Sequence, residues 1–520
     1  MWTEIPVGTT RIDCRRPYSF YFDLIVSVWK SPTQPSSNLP LHRICTLARK
    51  MGAQSIIMES ATSIPNVREE IDDFDAANGG GGSAEAIAIT FFSKFLGEES
   101  LEDLNPSELL GQVIVINYKS SGSQSFSHTY VYESKFRLPE VKLSSGKTTK
   151  LLNNYVHCGR SLDITVEGAT YSLHGVYYAQ QNQITSVCAH ACLKMSLNTV
   201  GAIGLDVTTR SINQLLSTTP PVSGLQISQV EQVISNSGHE PVIYNCSAGS
   251  PDEYLQVLHS ILDSGFSALL VFTTKGGIEH VVYVCGHTLN TDEWHPQALP
   301  AYSGAPSAQY YAMTAWVDHL IVHDDNFGPY YSLSSKSFVV DPDVQAKWII
   351  GILPMKVTTL PLIGQLLSTV YLSHVLPWAK SANIASGRWF DYMASGNWKL
   401  VMRTTLMERD RYISHLANLQ AHDRTRLTNN EVIAYKYLPD SFWCTEFTLP
   451  NLFTGNRAKL GEVFIDAFQY DKTKPLNSVL GMRGPSFMVL PHSPGKIQIV
   501  PSSICSHAPF YRVSDHDHEW

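Results

Sequence analysis

The chain has 520 residues, 43% of them hydrophobic and only 16% charged, with a formal net charge of −8. That length exceeds one ordinary core and sets an expectation of about two or three domains. The sparse, net-acidic charge, with no Lys/Arg block beyond Arg15-Arg16, argues against a nucleic-acid or membrane-surface binder, since phosphate recognition needs clustered cations.

Met1-Trp2-Thr3-Glu4 lacks the basic start and apolar stretch of a secretory leader, so none is expected. The nine cysteines are odd in number, scattered, and contain no CxxC pair. This argues against a disulfide framework and a structural zinc site. A reducing, cytoplasmic setting is the expectation, and it would keep a catalytic thiol reduced.

Residues 1–160 read as mixed α/β. Strands are expected over 20–29, 55–59, 112–118 and 128–136, and helices over 41–51 and 84–95. The glycine-rich run 78–83 reads as a mobile surface loop rather than a phosphate cradle. Ser145-Gly146-Lys147-Thr148 ends like a phosphate-binding loop, but Val141 stands where its first glycine is needed. HExxH, GxSxG and GxGxxG are absent.

A central domain is expected over 161–345 and a C-terminal α/β region over 346–520. The apolar stretch 357–379 contains Pro361, Gln365 and His374, which suits a buried or amphipathic helix better than a membrane span. Residues 398–416 look helical, and 442–449 and 462–468 look like strands. Arg403, Glu446 and Asp466 sit in apolar strings and suggest buried ion pairs. The end, 515–520, reads as a solvated tail. The flanking regions are candidate surfaces for a partner protein.

The chemistry-bearing residues lie in the central region. Helix-forming residues follow Cys188, and Gly201 sits where a C-terminal cap would. A cysteine at a helix start meets the positive end of the backbone dipole and free N–H groups, which favour the thiolate. His280 opens a strand, Glu279 to Gly286, behind the turn Thr274-Lys275-Gly276-Gly277. There an imidazole can take the thiol proton and return it. A strand from Asp318 to His323 runs into Asp324 and Asp325, where a carboxylate can orient the imidazole. Each element alone has a commoner structural use.

In this order the three resemble the papain-like cysteine peptidases, nearest in flavour to the C39-like, bacteriocin-processing type. Cys188-Ala189-His190-Ala191-Cys192-Leu193 matches that family's small residues and apolar helix after the nucleophile. His280-Val281-Val282-Tyr283-Val284-Cys285-Gly286 resembles its His-x-Val-x-Val-x-Gly strand, and Asp324 to Gly328 its acid turn. The resemblance spans about a third of the chain. It implies an α+β fold in which the Cys helix packs on an antiparallel sheet bearing His and Asp, with α/β appendages on both sides.

The implied activity is hydrolysis of a peptide or isopeptide bond in a protein or peptide substrate, without cofactor or metal. Cys188 would be nucleophile, His280 base and Asp324 orienting acid. The family's oxyanion glutamine stands six residues before the cysteine. Here that position is Asn182, with Gln181 favoured, Gln183 close behind and Asn182 kept open. Cys192, one turn inside the helix, is the lesser nucleophile candidate, and Asp325 is the rival acid. His280 and Asp324 are 44 residues apart, longer than usual, which implies an insertion near 289–315 that could line the cleft. Acyl transfer or deamidation on the same triad, and a degenerate papain-fold binding module, are the alternatives.

Overall fold

The computed structural model describes residues 10–13, 38–96, 101, 104–121, 126–142, 148–150, 154–201, 206–216, 224–289, 302–303, 309–395, 399–418, 420–421, 426–453, 458–493, 496–502 and 510–511. The expected strand over 20–29 and the tail 515–520 lie outside them. The chain is α+β, built on three large sheets that are antiparallel but for one strand pair, Gln309–Ala312 with Lys399–Glu408.

The first sheet runs in the order Thr10–Asp13, Ser55–Ser60, Ser83–Phe92, Leu109–Lys119, Ser127–Arg137, Ala169–Tyr178, Arg160–Val166. The second runs Glu240–Asn245, Gln345–Leu353, Ser267–Thr273, Glu279–Thr288, His319–Asp324, Gly328–Ser334, with Asn154–Val156 added beside Glu279–Thr288. The third is built on Lys399–Glu408, Ser441–Thr448 and Gly461–Asp466. The strands of 160–178 therefore complete the first sheet, and 345–353 lies inside the second.

The second sheet is the central layer, and strand alternation explains why. Successive side chains of a strand point to opposite faces. Val281, Tyr283 and Cys285 enter one core with the Cys188–Val200 helix and the first sheet. Val282 and Val284 enter another, with helices Pro251–Asp263 and Pro361–Ser381 and the third sheet. Valine-rich strands buried on both faces show this near-continuous apolar pattern.

Two expected helices are corrected. The sequence reads 84–95 as a helix, but Ser83–Phe92 is a strand. Ile87, Ile89 and Phe91 face one core while Ala86 and Ala88 face another. Pairing with strands on both sides outweighs the weak helical preference of alanine. In the expected helix over 398–416, Lys399–Glu408 is a strand and only Arg409–Asn418 is helical. Val401, Thr404 and Thr405 are β-branched and buried between strands.

The glycine run forms a pinned turn: Gly82 N–H donates to Asp75 Oδ1 at 2.8 Å and Gly81 N–H to Oδ2 at 3.1 Å. The apolar stretch is the helix Pro361–Ser381, packed on the third sheet and against the helix Pro251–Asp263. Among the described residues no helix is long and apolar enough to cross a membrane.

Candidate active site

Cys188 is the first residue of the helix Cys188–Val200. Val187, extended at φ −116°, precedes it, and the helical ladder opens with Ala191 N–H to Val187 O at 3.1 Å. The N–H groups of the first turn have no intrahelical acceptor and face outward around the thiol. Gly201, at φ 77°, ends the helix in the left-handed conformation expected of a glycine cap. Ala189 to Thr199 are buried, so the helix is locked on the second sheet.

His280 is the second residue of Glu279–Thr288, paired with Phe272 across a hairpin closed by Gly276 and Gly277, both at positive φ. Its Nε2 lies 3.1 Å from Asp324 Oδ2 and 3.8 Å from Asp325 Oδ1. The Cys188 thiol lies close enough to the imidazole to favour its protonated form. Phe272 packs edge-on to the imidazole at 5.6 Å. Burial works against a charge on His280, but hydrogen bonds to Asp324 and Cys188 and the two nearby carboxylates outweigh it and push its pKa up to about 10.

Asp324 ends the strand His319–Asp324. Its Oδ1 accepts from Asn326 N–H at 2.8 Å and Phe327 N–H at 3.3 Å, which aims Oδ2 at the imidazole. Asp325 is fully buried, and its carboxylate has no well-formed hydrogen bond, only the nearby N–H groups of Asp325 and Asn326. Burial pushes Asp325 up to about 7, against the pull of the His280 charge. The structure thus brings Cys188, His280 and Asp324 together in sequence, and Asp325 borders them from below. Asp324 is the nearer and better-aimed acid.

Cys192 is fully buried, and its thiol donates to Val281 O at 3.3 Å. Burial raises it far above an ordinary thiol, so it is an inert packing group. His190 turns away to Asn213 Oδ1 at 3.0 Å, which excludes a Cys-His-Cys metal site on this helix.

The three residues considered for the oxyanion separate clearly. Gln181 is half-buried with Nε2 3.4 Å from Asn326 Oδ1, beside the acid turn. Gln183 is exposed at φ 64°, in the turn before the helix. Asn182 is fully buried, and its side chain is engaged by its own loop and by Glu70. Glu70 and Asn326 are the site neighbours that sequence reasoning missed. Asn182 carried a readable signal, because asparagine ahead of Thr and Ser commonly closes such a loop.

Among the described residues two groups have ligand atoms within 4.8 Å of one another: His280 with Asp324 and Asp325, and His157 with Asp263 and His287. A cation in the first would compete with the proton that His280 holds firmly. In the second, Asp263 already accepts from His287 Nε2 at 2.7 Å and Arg403 Nε at 2.9 Å. Burial pushes Asp263 up, but Arg403 and His287 outweigh it and hold its carboxyl well below the usual range.

That carboxylate opens a buried ladder of charge. Arg403 Nη1 lies 3.5 Å from Glu446, Lys459 bridges Glu446 and Glu462 at 2.5 and 2.6 Å, and Arg483 Nε meets Glu462 at 2.9 Å. Of the three polar groups expected in buried ion pairs, Arg403 and Glu446 lie in this ladder. Asp466 does not join it, because its Oδ1 accepts from Phe468 and Gln469 N–H. Within the 289–315 insertion, Tyr302–Ser303 and Gln309–Ala312 pair into the third sheet. Residues 290–301 and 304–308 lie outside the description.

No protein-family model matches the chain, and no curated protein matches it.

Proposed function

We propose that the chain is a papain-like cysteine hydrolase that cleaves peptide or isopeptide bonds. The observation that carries this reading is the unbroken contact from Cys188 through His280 to Asp324. In the proposed reaction the proton of the Cys188–His280 pair already rests on His280, and the sulfur attacks the substrate carbonyl carbon. Negative charge on the carbonyl oxygen is met by the Cys188 N–H and the Gln181 amide. Collapse breaks the C–N bond, and His280 returns the proton to the leaving amine. Water then attacks the thioester, gives a proton to His280, and releases the acid with the thiol restored. Asp324 holds the ring and stabilises its cation throughout.

The rim of the site suits a peptide with apolar side chains near the scissile bond. Ile184, Ile278 and Phe327 are 42%, 67% and 42% exposed, on the three segments that carry Cys188, His280 and Asp324. Digestion of an oligopeptide library, read by mass spectrometry, tests the function. The wild-type chain is expected to cleave a subset of peptides and Cys188→Ala none. Cleavage by Cys188→Ala, or no cleavage by either, would sink the reading.

A further inference from the structure

The segment between Ala179 and Val187 must present both Gln181 and the Cys188 N–H, yet it has no regular secondary structure of its own. One side chain organises it. Asn182 Oδ1 accepts from Ile184, Thr185 and Ser186 N–H at 3.0, 2.8 and 2.9 Å. Its own N–H donates to Ser186 Oγ at 2.9 Å, and Nδ2 donates to Thr185 Oγ1 at 2.6 Å. These bonds shape the loop but do not fix it in space. The remaining contact does: Nδ2 donates to Glu70 Oε1 at 2.7 Å.

Glu70 stands on the helix Pro65–Ala77, is only 6% exposed, and also accepts from Tyr130 OH at 3.2 Å. Two residues ahead, Gln180 is clamped to the first sheet, with its N–H to Val131 O at 3.0 Å and Val131 N–H to its Oε1 at 2.9 Å. The loop before the cysteine is therefore suspended from the N-terminal region at Gln180 and Asn182, with Gln181 between them. A buried hydrogen bond to the Glu70 carboxyl group holds the loop at Asn182, and Gln181 adds only the longer 3.4 Å contact to Asn326 Oδ1.

We propose that Glu70, acting through Asn182, is a positioning residue for the oxyanion half of the site. It touches neither substrate nor reacting atoms. It sets the register at which Gln181 and the first N–H groups of the cysteine helix face the carbonyl oxygen. The proposal rests on the thiol-hydrolase reading above. It also makes the N-terminal region part of the catalytic apparatus, whatever else that region binds.

The test compares full-length wild type, Glu70→Ala, Glu70→Gln, Asn182→Asp and Cys188→Ala on the best-cleaved library peptide, with alkylation of Cys188 by iodoacetamide measured alongside. Alkylation forms no oxyanion, so it reports the thiol independently of the loop. Glu70→Ala is expected to lower kcat roughly 10²-fold, the scale of a lost oxyanion donor, with KM and the alkylation rate each within about threefold of wild type. Glu70→Gln keeps an acceptor for Asn182 and should recover most of kcat. Asn182→Asp keeps the loop acceptor but turns a carboxylate toward Glu70, and should repeat the Glu70→Ala defect.

Wild-type kcat in Glu70→Ala, or alkylation falling in step with kcat, would overturn the proposal. Failure of both Glu70→Ala and Asn182→Asp to fold, read by circular dichroism, would also overturn it, since the contact would then serve the whole chain. If Cys188→Ala still cleaves, the hydrolase reading itself fails. If it is inactive while Glu70→Ala is fully active, only the positioning role fails.

Discussion

Two neighbouring aspartates at the end of one strand are set to different tasks by what surrounds them. Asp324 is aimed by two backbone N–H groups and meets His280 at 3.1 Å, while Asp325 is buried without a well-formed hydrogen bond. Asp324→Asn should cost about 10²- to 10⁴-fold in kcat, because the ring loses its orientation and its counter-charge. It should also move the alkaline limb of kcat/KM down from the vicinity of pH 10, where His280 sheds its proton. A pH profile of both proteins checks this. Asp325, raised to about 7, binds a proton in the folded chain that the unfolded chain, with a carboxyl near ~3.9, has already lost. Folding stability should therefore fall as pH rises from about 4 to about 7. Asp325→Asn should lack that loss, so the melting temperature of the variant relative to wild type should climb between pH 4.5 and pH 7.5.

The elements that carry chemistry were the most legible in the sequence, because each combined a local signal with a terminus. Cys188 before a helix-forming run and His280 behind a Gly-Gly turn are both placed by short-range rules. The elements misread, Ser83–Phe92 and Lys399–Glu408, are strands whose identity comes from neighbours distant in sequence. The same holds for Arg403: its apolar setting hinted at a buried pair, but its role in binding Asp263 to Glu446 depends on a helix and two strands meeting. Arg403→Leu would remove the cation that bridges the two acids, leaving Asp263 to its histidines and Glu446 to Lys459 in the interior. It should destabilise the fold by about 3–5 kcal/mol, measurable by denaturant unfolding.

At the scale of the molecule, the central sheet is sandwiched between two cores, and neither side is dispensable to it. The cysteine helix packs against the first sheet, where Lys194 Nζ bonds Tyr132 O at 3.2 Å and sits 3.5 Å over the Tyr132 ring. Arg43 reaches from the N-terminal region to the carbonyls of Pro329 and Tyr330, just beyond the acid turn. None of these long-range ties has a short sequence signature, which is why the site was legible and its support was not. A fragment of residues 161–345 lacks Ser127–Arg137, the partner of Ala169–Tyr178, and all but the first residue of Gln345–Leu353, which fills the middle of the central sheet. Expressed alone, it should show no cooperative melting transition by circular dichroism.

The central claim, that Cys188 and His280 work as one catalytic pair, is tested most directly by covalent labelling of the intact chain with a limiting peptidyl epoxide, mapped by mass spectrometry. A single adduct on Cys188 is predicted, together with its loss in His280→Ala although the thiol remains. Labelling spread over several cysteines, or an adduct on Cys188 that survives His280→Ala unchanged, would contradict it.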